Sequence, residues 1–370
     1  MRLKKRGHEV AVFANEFGPS ASRLSAAGIP IVTRVSDIPF QPEAIHSNHW
    51  PQSLLLAAAY PLVPQIFECH DPKAWHSAPP TFAGVRTWIA VDEICRERIL
   101  TEANAIPEQV TLLPNAVDLD QYPLRKELPA RPRRAMVLTK SSEHLEIIRR
   151  VCRERSLELI ELGPGAGRVV DNLGEHFQDV DIVFATARMA VESIASGCAV
   201  VVVDGRGLAG MVTTKNMDIW RSNNFGKRLQ LHKVDTASLN AALEQYDSID
   251  ARIVSLKTRK VSNLDERISA LEEIYRTAIE QTHACPLTIG QVLAEFPSVT
   301  TRLLSWNHVG LASTDSMIPF FIRVDQMRSE SDSQSRRIQE LESSVSELND
   351  QIVTRDYRIR SLEDQLVKRA

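Results

Sequence analysis

The sequence predicts an α/β protein built on parallel sheets with helices on both faces, followed by a helical tail. Short apolar runs alternate with helix-forming stretches through residues 6–280, which is typical of parallel strands buried on both faces. Glycine-rich segments follow several of these runs. Residues 325–370 have a different pattern, in which apolar residues recur at steps of three and four.

Composition excludes several functional classes. The chain has 370 residues, enough for two domains and a tail, and its hydrophobic fraction of 43% supports a buried core. A net charge of −3 gives no basic field for nucleic acid. Five scattered cysteines without paired spacing argue against a disulfide framework or a zinc site. No apolar run reaches the roughly 18 residues of a membrane span, so we predict a cytoplasmic protein and leave peripheral membrane association open.

Residues 180–212 are the most informative segment. Their pattern predicts, in order, a strand, a helix, a second strand and a glycine-rich loop, which we place at 180–184, 190–196, 198–203 and 204–210. In an open parallel sheet, ligands bind outside the carboxyl ends of the strands. We therefore expect the loops at 185–188 and 204–210 to face a binding crevice.

The run Arg188-Met-Ala-Val-Glu192-Ser-Ile-Ala-Ser-Gly197-Cys-Ala-Val-Val resembles the donor-site helix of the GT-B glycosyltransferases, family 4 in particular. In that family a glutamate of this helix accepts hydrogen bonds from the ribose of a nucleotide sugar. The resemblance implies this role for Glu192. The alternative is a solvated glutamate on an ordinary helix.

Two further segments carry the same resemblance. Gly7-His8-Glu9-Val10 resembles the start of the family's second strand, and Pro114-Asn115-Ala116-Val117-Asp118 resembles its domain-junction turn. The implied organisation is an acceptor-side Rossmann-like domain at 1–124, a linker at 125–134 and a nucleotide-sugar-binding Rossmann-like domain at 135–283. Relatives place a strand and a glycine loop before the Gly7 segment, so we expect the first strand of the first domain to be missing.

The resemblance also implies the remaining site residues. His70, at the exit of a strand in the first domain, would be catalytic, and Lys140 with Arg188 would offset the diphosphate charge. Glycines after two predicted strands would let the backbone approach the donor; they are Gly163, Gly165, Gly205 and Gly207. Family 4 enzymes mostly retain anomeric configuration and need no metal or cofactor, so we expect a retaining hexosyltransferase without either.

Other interpretations remain open. A second glutamate is expected eight residues before Glu192, where this chain has Phe184. A non-catalytic GT-B scaffold is therefore an alternative. The segment 161–168 resembles the first motif of S-adenosylmethionine-dependent methyltransferases, although a lone Gly-x-Gly-x-Gly is a weak signal. Four histidines between residues 46 and 76 match no zinc spacing, so we predict no metal site.

The tail has a heptad pattern between residues 338 and 366. β-Branched residues dominate the a positions and leucines the d positions, which favours a parallel two-stranded coiled coil. We predict a parallel homodimer through this segment, a coiled coil at 325–370 and an unassigned connector at 284–324. The predicted partners are a nucleotide sugar and a glycan or lipid-linked acceptor in polysaccharide biosynthesis.

Overall fold

The computed structural model describes residues 1–18, 20–103, 105–170 and 172–285, together with Thr288, Arg337 and Ser344. Contacts divide the chain into two compact units, Met1–Pro286 and Leu287–Ala370. All elements given below belong to the first unit. The predicted connector, apart from its first two residues and Thr288, lies outside the described residues, as does the predicted coiled coil apart from Arg337 and Ser344.

The first half of this unit contains six short parallel strands in two sheets. The strands are β1 (Val12–Phe13), β2 (Ile31–Val32), β3 (Ile45–Ser47), β4 (Gln65–Cys69), β5 (Val85–Ala90) and β6 (Val110–Leu112). The helices are α1 (Arg2–Lys5), α2 (Ser20–Ala26), α3 (Trp50–Ala59) and α4 (Glu93–Glu102). Strands β3 to β6 form one sheet in chain order, and β1 pairs with β2 alone. The expected absence of a first strand stays a prediction.

The second half contains a five-stranded sheet in the order β11-β10-β9-β7-β8. Its strands are β7 (Arg134–Leu138), β8 (Glu158–Leu162), β9 (Ile182–Ala185), β10 (Ala199–Asp204) and β11 (Gly207–Met211). Its helices are α5 (Leu145–Glu154), α6 (Leu173–His176), α7 (Ala187–Ala195), α8 (Met217–Ser222), α9 (Thr236–Leu243) and α10 (Ser248–Val261). Only β11 runs antiparallel to its neighbour.

The order of this sheet creates a topological switch point. Strand β7 comes first in the chain and has β8 on one side and β9 on the other. The connections after β7 and β9 therefore leave in opposite directions, which opens a crevice at their carboxyl ends. Both faces of the sheet are covered, since two clusters of buried apolar residues separate it from α7 and α10 on one side and from α5 and α9 on the other.

Two predicted loops at the edge of this sheet differ from the structure. The segment 204–210 is not an open glycine loop, because Asp204 pairs with Gly207 and the chain returns as β11. Gly205 and Arg206 form a two-residue hairpin connection, a position where glycine is favoured. The loop predicted at 185–188 is also shorter, since α7 begins at Ala187 and includes Arg188.

The last helix returns to the first half of the unit. Helix α11 (Leu264–Ala284) follows the second sheet in sequence, and its residues Ile268 and Leu271 pack with Ile66 and Ile89 of the first sheet. Asn263 begins the helix by accepting a hydrogen bond from the Asp265 amide. Residues from the two halves of the chain therefore meet along β4 and β5.

None of the helices in the described residues combines the length and apolar character that crossing a bilayer requires.

Candidate functional site

The predicted ribose-binding residue lies in the buried second half of α7. Glu192 is 4% exposed, and its Oε1 accepts a hydrogen bond from Arg188 Nε at 2.7 Å. Burying a carboxylate is unfavourable unless it is paired, and the i, i+4 spacing supplies that pair. The Arg188 side chain is 71% exposed, so its charge reaches the surface of the unit while Glu192 stays inside.

Tyr122 completes this corner of the site. Burial raises the pKa of the Tyr122 hydroxyl, and the adjacent negative charge of Glu192 raises it further. The segment holding Tyr122 is fixed from the other side, because Arg259 of α10 donates to its carbonyl at 2.8 Å and to the Ala195 carbonyl at 2.9 Å. A buried carboxylate and a neutral phenol therefore lie side by side, a pair that hydrogen-bonds hydroxyl groups well.

The predicted glycines follow β8 and β10, at the same end of the sheet. A Cβ on Gly163 would lie 2.2 Å from the Thr139 carbonyl oxygen, and one on Gly165 would lie 2.4 Å from the Ser141 amide nitrogen. Any side chain at either position would clash, so these glycines allow the exits of β7 and β8 to pack together. A Cβ on Gly207 would lie 2.8 Å from the Gln230 carbonyl oxygen, so this position also excludes a side chain.

The exit of β7 carries the predicted Lys140, which is exposed. Four residues later the chain places His144 in the interior, 2% exposed, with no hydrogen-bond partner for either ring nitrogen among the described residues. Burial lowers the pKa of His144, against the opposing charges of Asp204 and Glu143. A neutral imidazole with unused polar atoms therefore lies beside the exit of β10.

Asp204 and Arg206 form the hairpin turn of the second sheet. Asp204 accepts from the Arg206 amide at 2.8 Å and pairs with its guanidinium. Burial alone would raise the pKa of Asp204, but the Arg206 hydrogen bonds lower it, so the carboxylate stays ionised. Thr186, at the exit of β9, donates to Asp204 at 3.4 Å. These contacts join the ends of β9 and β10.

Positive charges from both halves of the chain converge next to this turn. Burial and the charges of Lys73 and Arg206 lower the pKa of the Lys227 ammonium. Lys73 follows β4 of the first sheet, whereas Lys227 precedes α9 of the second half. Nearby, Arg228 is ion-paired with Glu97 of α4. The crevice between the two sheets therefore has a cationic rim, an arrangement that attracts phosphate groups.

His70, the predicted catalytic residue, lies across this crevice at the end of β4. Its Nε2 is 3.3 Å from Glu68 Oε1 and 2.7 Å from Asn48 Nδ2. Glu68 is 3% exposed and also contacts Arg267 Nη2 at 2.6 Å and His46 Nε2 at 3.0 Å. We call these residues, with Tyr275, the Glu68 cluster.

The charge state of the Glu68 cluster follows from its contacts. Burial alone would raise the pKa of Glu68, but the His46 hydrogen bond and the Arg267 charge lower it to about 2. Burial lowers the pKa of His70, partly opposed by Glu68. At neutral pH the cluster therefore holds an ionised glutamate, an arginine and a neutral His70.

The described residues contain no group of three or more metal-binding side chains. A cavity of about 620 Å³ is lined by residues such as Arg86, Thr111 and Glu273, and lies beside the amino ends of β5 and β6. It is therefore at the opposite edge of the first sheet from His70, and it belongs to a different surface.

Comparisons with known proteins identify the class of fold. A glycosyltransferase from Rickettsia africae ESF-5 matches with a TM-score of 0.53 and 12% identity over 75% of this chain and 92% of that one. The glycotransferase of kitacinnamycin (0.43, 12%, covering 74% and 92%) and AviGT4, a glycosyltransferase involved in avilamycin A biosynthesis (0.40, 10%, covering 77% and 88%), are also similar. The first likeness shows that this chain shares the fold of that glycosyltransferase, in agreement with the α/β fold with parallel sheets that the sequence predicts.

No family model matches the sequence. No curated protein matches it either.

Most of the predicted site residues follow strand ends in the structure. Lys140 and the glycines at 163, 165 and 205 follow strands of the second sheet, Arg188 and Glu192 lie on the helix after β9, and His70 follows β4 of the first sheet. Sequence reasoning missed His144, Asp204, Arg206 and the Glu68 cluster. The Asp-Gly-Arg-Gly run signalled a turn at Asp204, but nothing local in the sequence pointed from Glu68 to Arg267.

Proposed function

We propose that the protein is a glycosyltransferase that uses a nucleoside-diphosphate sugar. The observation that carries the proposal is the cationic rim beside the carboxyl ends of β4 and β10, together with the burial of Glu192 on α7, the helix that follows β9. The fold likeness supports it, because the matched protein is a glycosyltransferase. The family 4 type rests on the sequence resemblance alone.

In this proposal Glu192 and Tyr122 hydrogen-bond the ribose hydroxyls of the donor. A carboxylate that accepts from a hydroxyl forms a charge-assisted hydrogen bond, worth about 1.5–3 kcal/mol. Arg188, Lys140, Arg206 and Lys227 offset the charge of the diphosphate, which grows as the sugar departs. Glycines 163, 165, 205 and 207 remain the proposed backbone contacts of the donor.

The acceptor is a glycan or a lipid-linked saccharide in this proposal. His70 faces it from the first sheet and is the proposed catalytic residue. The family resemblance implies retention of anomeric configuration, whereas a base beside the acceptor would give inversion. The anomer of the product distinguishes the two outcomes.

The proposal is tested by donor binding to Glu192→Gln. We expect the variant to unfold at nearly the same temperature as the wild type and to lose most of its affinity for the nucleotide that stabilises the wild type. Glu146→Gln is the matched control, because Glu146 lies on α5 and is exposed. Unchanged nucleotide affinity in Glu192→Gln would remove the central assignment.

A parallel homodimer through residues 338–366 is a second part of the proposal and rests on the heptad pattern of the sequence. Deleting residues 325–370 should convert a dimer to a monomer in light scattering. A truncated protein that stays dimeric would assign dimerisation to another surface.

A further inference from the structure

Helix α10 exposes large aliphatic side chains along its outer face. Ile249 is 74% exposed, Ile253 is 43% exposed and Leu256 is 51% exposed. The opposite face packs against α7 and β10 through smaller buried residues, which are Ala251, Val254, Ser255 and Thr258. Aliphatic side chains grouped on the exposed face of one helix are typical of a surface that another molecule covers.

The exposed residues have the spacing of a surface that pairs with another helix. Ile249, Ile253 and Leu256 are separated by steps of four and three residues. Lys260 follows after four more and can continue the row with its aliphatic stem. Steps of this kind place side chains on one side of a helix, where they interdigitate with those of a second helix. We call these four residues the α10 seam.

The charges beside the α10 seam decide which orientation of a second α10 helix is favourable. Asp250 lies on one flank, and Lys257 lies on the same flank seven residues later. In an antiparallel pair, Asp250 of each copy lies beside Lys257 of the other, so two contacts between opposite charges form. In a parallel pair Lys260 would face Lys260 of the second copy, and Arg252 would face Lys257. The antiparallel arrangement is therefore favoured.

Contacts within the chain leave these charges able to act. Asp250 accepts from Thr214 Oγ1 at 2.5 Å and from the Thr214 amide at 3.0 Å. Each carboxylate oxygen has two lone pairs, so a lysine of a second copy can still bond to Asp250. Arg252 and Arg259, on the opposite flank, donate to backbone carbonyls of their own unit at 2.8–3.0 Å. These hydrogen bonds hold the like charges of that flank away from a partner.

We propose that α10 is a homodimer contact, in which the α10 seams of two copies pack antiparallel about a two-fold axis. Such an axis makes the contact self-complementary, since each copy supplies the same residues. Ile253 of one copy lies against Leu256 of the other, and Ile249 lies against the stem of Lys260. The pairing goes beyond the proposed function, because it requires neither the donor nor the reaction.

The contact is small, so it depends on a second link between the copies. The four residues of the α10 seam are far fewer than the about 20–30 that a stable interface takes from each side. The proposed dimer through residues 338–366 would hold two copies together at an effective concentration in the millimolar range. Under that condition a weak contact between folded units still forms.

An anionic membrane is the alternative occupant of this face, because lysines beside aliphatic side chains are also typical of helices that lie on lipid. The flank that carries Lys257 also carries Asp250, which anionic lipids would repel. A second copy of the helix instead gives both charges a partner. The charge pattern therefore favours the second copy.

The first test uses the wild-type, full-length chain, mixed from unlabelled and ¹⁵N-labelled protein. A carbodiimide joins a carboxylate to an amine where the two are in contact. Asp250 and Lys257 of one chain are about 10 Å apart along the helix, so a direct link between them must join two copies. We expect linked peptides that contain Asp250 from one isotope and Lys257 from the other. A full-length protein that gives no such link would overturn the proposal, whether light scattering finds it dimeric or monomeric.

The second test compares two substitutions of exposed leucines. Leu256→Glu places a carboxylate in the α10 seam and should lower the yield of the link at least about tenfold, since burying an unpaired charge is unfavourable. Leu231→Glu is the matched control, because Leu231 is 82% exposed and lies outside α10. It should leave the yield within about a factor of two, as is usual for surface substitutions. An equal yield in the two variants would contradict pairing through the seam.

Sedimentation with vesicles of phosphatidylcholine and phosphatidylglycerol distinguishes the membrane from the second copy. We expect the wild type and Leu256→Glu to sediment equally, because the seam faces protein. Vesicle binding by the wild type that Leu256→Glu loses would assign the face to a lipid surface and overturn the homodimer contact.

Discussion

The carboxyl ends of the two sheets use charge in different ways. At the end of β4, the buried Glu68 is surrounded by His46, His70 and Arg267, and each member of this cluster has a partner within the chain. At the ends of β9 and β10, the charged residues are paired mostly with near neighbours in sequence, as in Arg188–Glu192 and Arg206–Asp204.

We therefore expect the Glu68 cluster to contribute mainly to the stability of the fold and the end of the second sheet mainly to ligand binding. The first cluster joins parts of the chain that are 199 residues apart in sequence, from Glu68 to Arg267, so it contributes to the folded state as a whole. The local pairs of the second sheet fix side chains without tying distant elements together. Among the described residues, the buried ring of His144 near these pairs has no hydrogen-bond partner.

The largest effect is expected from Arg267→Met. This variant leaves the buried carboxylate of Glu68 without its cation, which typically costs about 3–5 kcal/mol. The unfolding temperature should fall by several degrees in a calorimetric scan. Arg276→Met is the matched control on the same helix, because Arg276 pairs with Glu273 at the surface and such pairs contribute about 0–1 kcal/mol. Equal losses in the two variants would contradict the account.

The second-largest effect is expected from low pH, which should weaken the Glu68 cluster. The pKa of Glu68 is about 2 in the folded protein, against an ordinary value of 4.5, so its stabilisation is present above pH 4.5 and is lost as the pH falls towards 2. The difference corresponds to about 3 kcal/mol at about 1.4 kcal/mol per pH unit.

The measurement compares denaturant unfolding of the wild type and Glu68→Gln between pH 7 and pH 3. The gap in the free energy of unfolding should be widest at neutral pH and shrink towards pH 3. A gap that stays constant would show that Glu68 is not ionised in the folded state.

A smaller, purely functional effect is expected from Glu192→Gln. Loss of a charge-assisted hydrogen bond to ribose corresponds to about 10–100-fold in affinity, since about 1.4 kcal/mol is a factor of ten. Calorimetric titration with the stabilising nucleotide measures this loss. A fall in stability as large as that of Arg267→Met would erase the contrast between the two sheets.

The smallest effect is expected from Lys227→Gln. Its ammonium lies among like charges, so its removal should leave stability unchanged or slightly higher, while nucleotide affinity falls about 3–10-fold, or about 0.7–1.4 kcal/mol. The loss should diminish between 50 and 300 mM NaCl, because salt screens exposed charges. Lys260→Gln on α10 is the control. Equal affinity losses in both variants would argue against a cationic rim.

A helix could be predicted from the sequence where its core-facing residues are apolar and its solvent-facing residues are polar or charged. The spacing of apolar residues predicts a helix over residues 145–154, and α5 occupies that range, since its buried positions are apolar and its exposed ones are charged. The sequence pattern does not predict helix α10, because the usual arrangement of apolar and polar positions is reversed there. Its buried face includes Ser255 and Thr258, whereas Ile249 and Leu256 are exposed. Hydrophobic periodicity cannot reveal such a helix.

The candidate site was predictable only where its chemistry is local in sequence. Glu192 could be found from the helix that surrounds it, and the hairpin at Gly205 shows why two glycines follow Asp204 so closely. The contacts around His70 could not be predicted, because its neighbour Glu68 pairs with Arg267, which lies far away in sequence on α11. Long-range pairs of this kind depend on tertiary packing, which no short pattern encodes.

The central claim is that a nucleotide binds at the carboxyl end of the second sheet. Thermal unfolding of the full chain against UDP, GDP, CMP, S-adenosylmethionine and buffer tests it most directly. A ligand at a hundredfold its Kd stabilises by about 2.7 kcal/mol, which raises the unfolding temperature by a few degrees. We expect one nucleotide to produce this shift in the wild type and not in Glu192→Gln. A shift with S-adenosylmethionine alone, or with none of them, would contradict the account.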